Sequence, residues 1–154
     1  MTVALSKKIS PKARTKARER ALQALYQWHF TGQSVQEIEE QFLMEQNMSK
    51  ADIPYFQKLL HGVPEQLNEL DKGFGRFLDR PLPQIDPIEL AILRIGCYEL
   101  TFCPEVPYSV VIDEAIELAK KFGAEKSHKY VNGVLDKLAH ALAKKPHSLS
   151  LSKS

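Results

Sequence analysis

The chain has 154 residues, a net charge of +2, 44% apolar residues and 26% charged ones. Those values fit one globular domain with a real core and exclude a wholly disordered chain. No apolar run approaches the ~20 residues of a membrane span, and Val3-Ala4-Leu5 is too short for the apolar segment of a secretory signal. The expectation is a cytoplasmic protein with no membrane partner.

The average charge hides an asymmetry. Residues 1–20 hold Lys7, Lys8, Lys12, Arg14, Lys16, Arg18 and Arg20 against the single Glu19, a local balance of +6. The rest of the chain carries −4, from 14 basic and 18 acidic groups. A basic arm on a mildly acidic body points to a polyanion, nucleic acid or an anionic membrane, as partner. A flexible arm is predicted over residues 1–13 and a disordered tail over 146–154.

Helical spacing recurs along the chain, and no period-two pattern lasts. The first helix is predicted over Thr15–Thr31. Ala21, Leu25 and Trp28 or His29 form its core stripe, broadened by Leu22, Tyr26 and Phe30, and Gly32 ends it. Ser34-Val35-Gln36-Glu37 is a capping box opening a second helix whose core face is Ile38, Phe42 and Leu43. A third stretch covers Lys50–Leu78, with a break expected after Gly62 because of Pro64. Arg80-Pro81-Leu82-Pro83 reads as a rigid connector.

Asp86-Pro87-Ile88-Glu89 combines an N-cap, Pro at the first helical position and a capping-box acid. Leu90 to Leu100 is then apolar nearly all round, which marks a central, buried helix. Val110, Ile112, Ala115, Ile116, Leu118, Ala119 and Phe122 define the next helix, closed by Gly123. A last one runs from Ser127 to Ala143, with Gly133 inside it explained by close helix packing. The fold class is therefore all-α: about seven helices in two small bundles packed as one domain.

No phosphate loop, dinucleotide fingerprint, nucleophile elbow or zinc-protease motif is present, and no histidines sit at metal-ligand spacing. Cys97 and Cys103 are six residues apart on one helix and its end. That is about 9 Å, too far for a disulfide, so both read as core thiols in a reducing compartment. Asp113 and Glu117 share a helix face, but no nucleophile accompanies them; they read as a solvated face paired with Lys120 and Lys121. No cofactor or metal is expected, and a binding module is favoured over an enzyme.

Four ordered blocks carry a resemblance. They are Ala17-Arg18-Glu19-Arg20-Ala21-Leu22-Gln23-Ala24-Leu25-Tyr26, Leu93-Arg94-Ile95 with Tyr98-Glu99-Leu100, Val106-Pro107-Tyr108 with Ile112 to Lys120, and Phe122 to Asp136 around Val131-Asn132-Gly133. Spread over residues 14–140, they resemble the NusB family of bacterial transcription antitermination factors. The resemblance implies an all-helical domain over 14–145 that binds the boxA RNA of ribosomal RNA leaders together with NusE, a small-subunit ribosomal protein. The complex joins RNA polymerase and other Nus factors. Some members dimerise, and the sequence leaves a homodimer open. The same fold precedes certain ribosomal RNA cytosine methyltransferases, but no such domain follows in these 154 residues.

By the same resemblance, the RNA-binding residues are Lys12, Arg14, Lys16, Arg18, Tyr26, Glu89, Lys126, Lys129 and Tyr130. Thr15 and Lys16 depart from a run that is commonly Arg, and Lys lacks the planar fork of a guanidinium. Lys126 stands where relatives often carry an acid, which strengthens attraction for phosphate. Tyr26 and Tyr130 are suited to stacking bases, and Glu89 or Asn132 to reading base edges. Two readings stay open on the residues alone: a boxA-specific antitermination factor, and a protein–protein adaptor whose basic arm contacts RNA without sequence preference.

Overall fold

A computed structural model describes residues 10–45 and 47–144. Among them are seven α-helices, one 3-10 turn at Leu82–Gln84 and no strand. The helices are α1 (Pro11–Thr31), α2 (Val35–Glu45), α3 (Ile53–Glu65), α4 (Leu67–Gly75), α5 (Pro87–Phe102), α6 (Tyr108–Phe122) and α7 (Ser127–Ala143). The all-α expectation is met. The described residues divide into two compact units, one ending at Glu65 and the other beginning at Gln66.

In the first unit, α1 begins four residues before the predicted start. Ser10 is its N-cap, accepting from the Ala13 amide at 3.2 Å, and Pro11 brings no N–H to leave unpaired. Residues 11–13, expected in the arm, thus form the first helical turn; residues 1–9 and the tail lie outside the described residues. Gly32 closes α1 in the left-handed conformation at φ 74°, as predicted.

Ala17, Ala21, Leu22, Ala24 and Leu25 are buried, and the small alanines let α2 and α3 pack closely on α1. Tyr26 and Phe30 do not broaden this stripe: they are 39% and 59% exposed. Each four-residue step drifts by about 40° around a helix, so the Leu22–Tyr26–Phe30 row ends on the face opposite Ala21.

The Ser34 capping box forms as predicted. The Glu37 amide donates to Ser34 Oγ at 3.1 Å, and the Ser34 amide to Glu37 Oε1 at 3.2 Å. Ile38 and Phe42 are buried, whereas Leu43, expected beside them, is exposed. Phe42 stacks on Phe56 of α3, with ring centroids 6.0 Å apart. Buried Glu39 accepts from Gln57 Nε2 at 2.7 Å and meets His61 Nε2 at 2.7 Å. Pro64 sits in the last turn of α3, and the break falls at Gln66 rather than after Gly62. A proline removes only one ladder bond there, one residue before the helix stops anyway.

The second unit is built around α5, which packs on α4, α6 and α7. All ten residues from Leu90 to Glu99 are buried. Asp86 caps α5, accepting from the amides of Ile88 at 3.0 Å and Glu89 at 3.2 Å. Buried Arg94 is held by both oxygens of Asp71 of α4, each at 3.0 Å. Cys97 and Cys103 are buried thiols, not joined in a disulfide.

The close-approach glycine is Gly96, not Gly133. A Cβ on Gly96 lies 2.6 Å from Leu135 Cδ1 of α7. A Cβ on Gly133 meets nothing within 4 Å, and nothing in the structure explains that glycine. On α6, Val111 is buried while Val110 is exposed, one position off the predicted stripe. Asp113 and Glu117 are exposed, and Glu117 pairs loosely with Lys120 at 3.9 Å.

Candidate nucleic-acid interface

Helical phase sorts four basic residues of α1 into two sets. Taking Ala21 as the inward direction, Arg14 and Arg18 lie within about 60° of it, and Lys12 and Lys16 within about 40° of the opposite face. The contacts agree. The Arg14 guanidinium lies 3.8 Å from the Tyr55 ring centroid, and its Nε donates to Asp52 Oδ2 at 3.3 Å. Arg18 is 3% exposed, with its guanidinium 5.4 Å from the same ring.

Asp52 is the hub of this corner. Its Oδ1 caps α3 by accepting from the Tyr55 amide at 3.1 Å, and its own amide donates to the Ala13 carbonyl at 3.0 Å. Desolvated cation–π contacts of this kind contribute about 1–2 kcal/mol. The sequence placed Arg18 on RNA; the structure puts it inside the unit, where it holds α1 to α3.

The outward set is different. Lys12 is exposed, and half-buried Lys16 bonds Glu19 at 3.1 Å. Tyr26 and Phe30 share this side, their rings packed edge to face at 4.9 Å. His29 packs against Phe30 at the same centroid distance. This end of the helix therefore offers an exposed aromatic surface, about 20 Å along α1 from Lys12.

In the second unit the remaining candidates gather at the start of α7. Lys126 and Lys129 are exposed on its first turn. Half-buried Glu89 accepts from buried Ser127 Oγ at 2.6 Å, and that hydroxyl accepts from the Ala124 amide at 3.1 Å. Gly123 makes room for this turn: a Cβ there lies 2.8 Å from the Ala119 carbonyl and 2.9 Å from Ser127 Cβ.

Tyr130 is half-buried, and its hydroxyl accepts from the Asp79 amide at 3.3 Å. Burial raises its pKa. Arg80 lies over its ring, with Cζ 5.1 Å from the centroid. Asp79 grips Arg80 by two bonds, Nε at 2.8 Å and Nη2 at 3.0 Å. The hydrogen-bonded pair lowers the pKa of Asp79 and raises that of Arg80.

Sequence reasoning missed Asp52, Tyr55, Asp79, Arg80 and Ser127 as parts of these corners. Asp52 carried a signal, since Asp-Ile-Pro has the same cap-then-proline character as Asp86-Pro87. The others depend on contacts across more than 30 residues.

The comparisons decide the family. Residues 15–140 match the model of the NusB family. The chain belongs to the NusB family. A transcription antitermination protein NusB from Nitrosococcus oceani is 57% identical over 126 residues, 82% of this chain and 84% of that protein. Among solved structures, NusB of T. maritima superposes with a TM-score of 0.75 at 35% identity, covering 82% of this chain and 90% of that one. A chain in a complex of antitermination factors NusB and NusE with dsRNA gives a TM-score of 0.77 at 29% identity, covering 84% and 97%. Among the described residues of this NusB-family chain, no helix is long and apolar enough to cross a membrane.

Proposed function

We propose that this chain is a cytoplasmic, non-enzymatic transcription antitermination factor for ribosomal RNA operons. It binds boxA RNA with NusE and joins the Nus factor–RNA polymerase complex. The family match over residues 15–140 carries this reading, and the NusB–NusE–RNA complex among the structural neighbours supports both partners.

The physical layout fits single-stranded RNA. Lys12, Lys16, Lys126 and Lys129 supply phosphate attraction, while Tyr26 and Tyr130 supply ring faces. Glu89 keeps Oε1 for a base-edge donor while Ser127 holds Oε2. Arg14 and Arg18 act as positioning residues by fixing α1 on Tyr55. The −4 charge of the body suits a basic ribosomal protein.

The test is fluorescence anisotropy of labelled boxA RNA, single-stranded and as a duplex, against a shuffled strand, with and without NusE. Tighter binding of the single-stranded boxA, widened by NusE, is the expected result. Equal binding of all three with no effect of NusE sinks the reading and leaves a general helical adaptor.

A further inference from the structure

We propose that Arg80 and Tyr130 form one stacking platform, on which a nucleobase of single-stranded RNA lies against the outer face of the Arg80 guanidinium. This rests on the reading of the chain as an RNA-binding factor and adds a binding residue to it.

The argument starts from the backbone. Arg80 precedes Pro81, and the 3-10 turn Leu82–Gln84 contains Pro83, so the segment that carries the guanidinium has little freedom. Asp79 then takes Nε and Nη2 together at 2.8 and 3.0 Å. Two parallel bonds on one edge fix the plane of a guanidinium, not merely its position. The Asp79 amide also donates to the Tyr130 hydroxyl, tying the ring to the same segment.

With Cζ over the ring and 5.1 Å from its centroid, the gap is too narrow for a base between guanidinium and ring. The platform can grow only outward, and Arg80 is exposed on its side chain by 42%. Arginine planes, like aromatic rings, stack splayed bases.

Charge argues against the simpler role of a phosphate clamp. The Asp79–Arg80 pair is neutral as a unit, so its pull on a phosphate is weak. At the start of α7 the exposed Lys126 and Lys129 remain to neutralise phosphate. Arg80 is thus set up as a held surface, with the lysines supplying attraction.

The experiment is anisotropy of labelled single-stranded boxA RNA over a salt series, with wild type, Arg80→Ala, Arg80→Lys and Lys129→Gln. Arg80→Ala should weaken binding by about five- to a hundredfold, the size of one lost stack, with the salt slope unchanged. Arg80→Lys should fail to restore affinity, because an ammonium keeps charge but has no plane. Lys129→Gln should lower the slope by roughly 0.7. If Arg80→Ala melts early, Arg80→Lys carries the comparison alone.

Wild-type affinity in Arg80→Ala overturns the platform. Rescue by Arg80→Lys, or a slope reduced as in Lys129→Gln, overturns it in favour of a phosphate contact. A wild type that does not distinguish boxA from a shuffled strand overturns the functional reading first, and the platform with it.

Discussion

Ser127 Oγ donates to Glu89 Oε2 at 2.6 Å, joining the first turn of α7 to the first turn of α5. The same hydroxyl accepts from the Ala124 amide, so one buried group serves both a donor and a carboxylate. Ser127→Ala removes both bonds and leaves a half-buried charge short of a partner. The expected loss is about 1–3 kcal/mol of stability, read as a lower urea midpoint with unchanged slope. A midpoint equal to wild type shows that water replaces the hydroxyl at no cost.

Gly123 is required by space rather than by backbone angle. Its φ of −95° suits any residue, but its Cβ position is crowded by a backbone carbonyl and by Ser127. Neither neighbour is a mobile chain end. Gly123→Ala should therefore destabilise by roughly 1–3 kcal/mol through overpacking. Thermal melting of the variant beside wild type measures it, and an unchanged midpoint would show that the turn shifts freely.

Local rules carried most of the fold. The Ser34 capping box, the Asp86 cap, the Gly32 stop and the buried run of α5 are each set by residues within a few positions, and each was legible. Four differences share one cause. Tyr26, Phe30, Leu43 and Val110 are apolar residues at helical spacing that fall outside the buried arc, because periodicity gives a stripe but not its width. Gly133 does not mark the close approach because that depends on the partner helix: α5 meets α7 where Gly96 faces Leu135, and Gly133 is exposed. Of the candidate site, Lys129 and Tyr130 were indicated by the family resemblance, whereas Arg80 meets Tyr130 only through a contact 50 residues away.

The two faces of α1 make separable predictions for RNA binding. Lys12→Gln with Lys16→Gln removes one exposed charge and one already bonded to Glu19. It should weaken binding and reduce the salt slope by about 0.7 to 1.4. Arg18→Ala should do the reverse, costing roughly 2–4 kcal/mol of stability by emptying a buried, charged position on Tyr55. Its effect on the salt slope should be small when measured below its melting temperature. A slope reduced by Arg18→Ala and not by the lysine pair would return Arg18 to the RNA surface.

Cys97 gives a prediction in pH. Burial pushes its thiol up to about 12, and Thr101 opposes this only in part. The unfolded chain ionises this thiol near the ordinary value, so between that value and about 12 the unfolded state binds fewer protons than the folded one. Stability from this group is complete below the unfolded pKa and is lost as pH rises toward the folded one. The slope approaches about 1.4 kcal/mol per pH unit within that window. Cys97→Ala removes the titrating group at the constant cost of a small cavity. Urea midpoints for both proteins from pH 7 to pH 10.5 should therefore converge as pH rises, the wild type falling faster. Parallel curves would mean that the thiol ionises in the folded protein at its ordinary pH, and a thiol-specific reagent would then label native Cys97 quickly at pH 9.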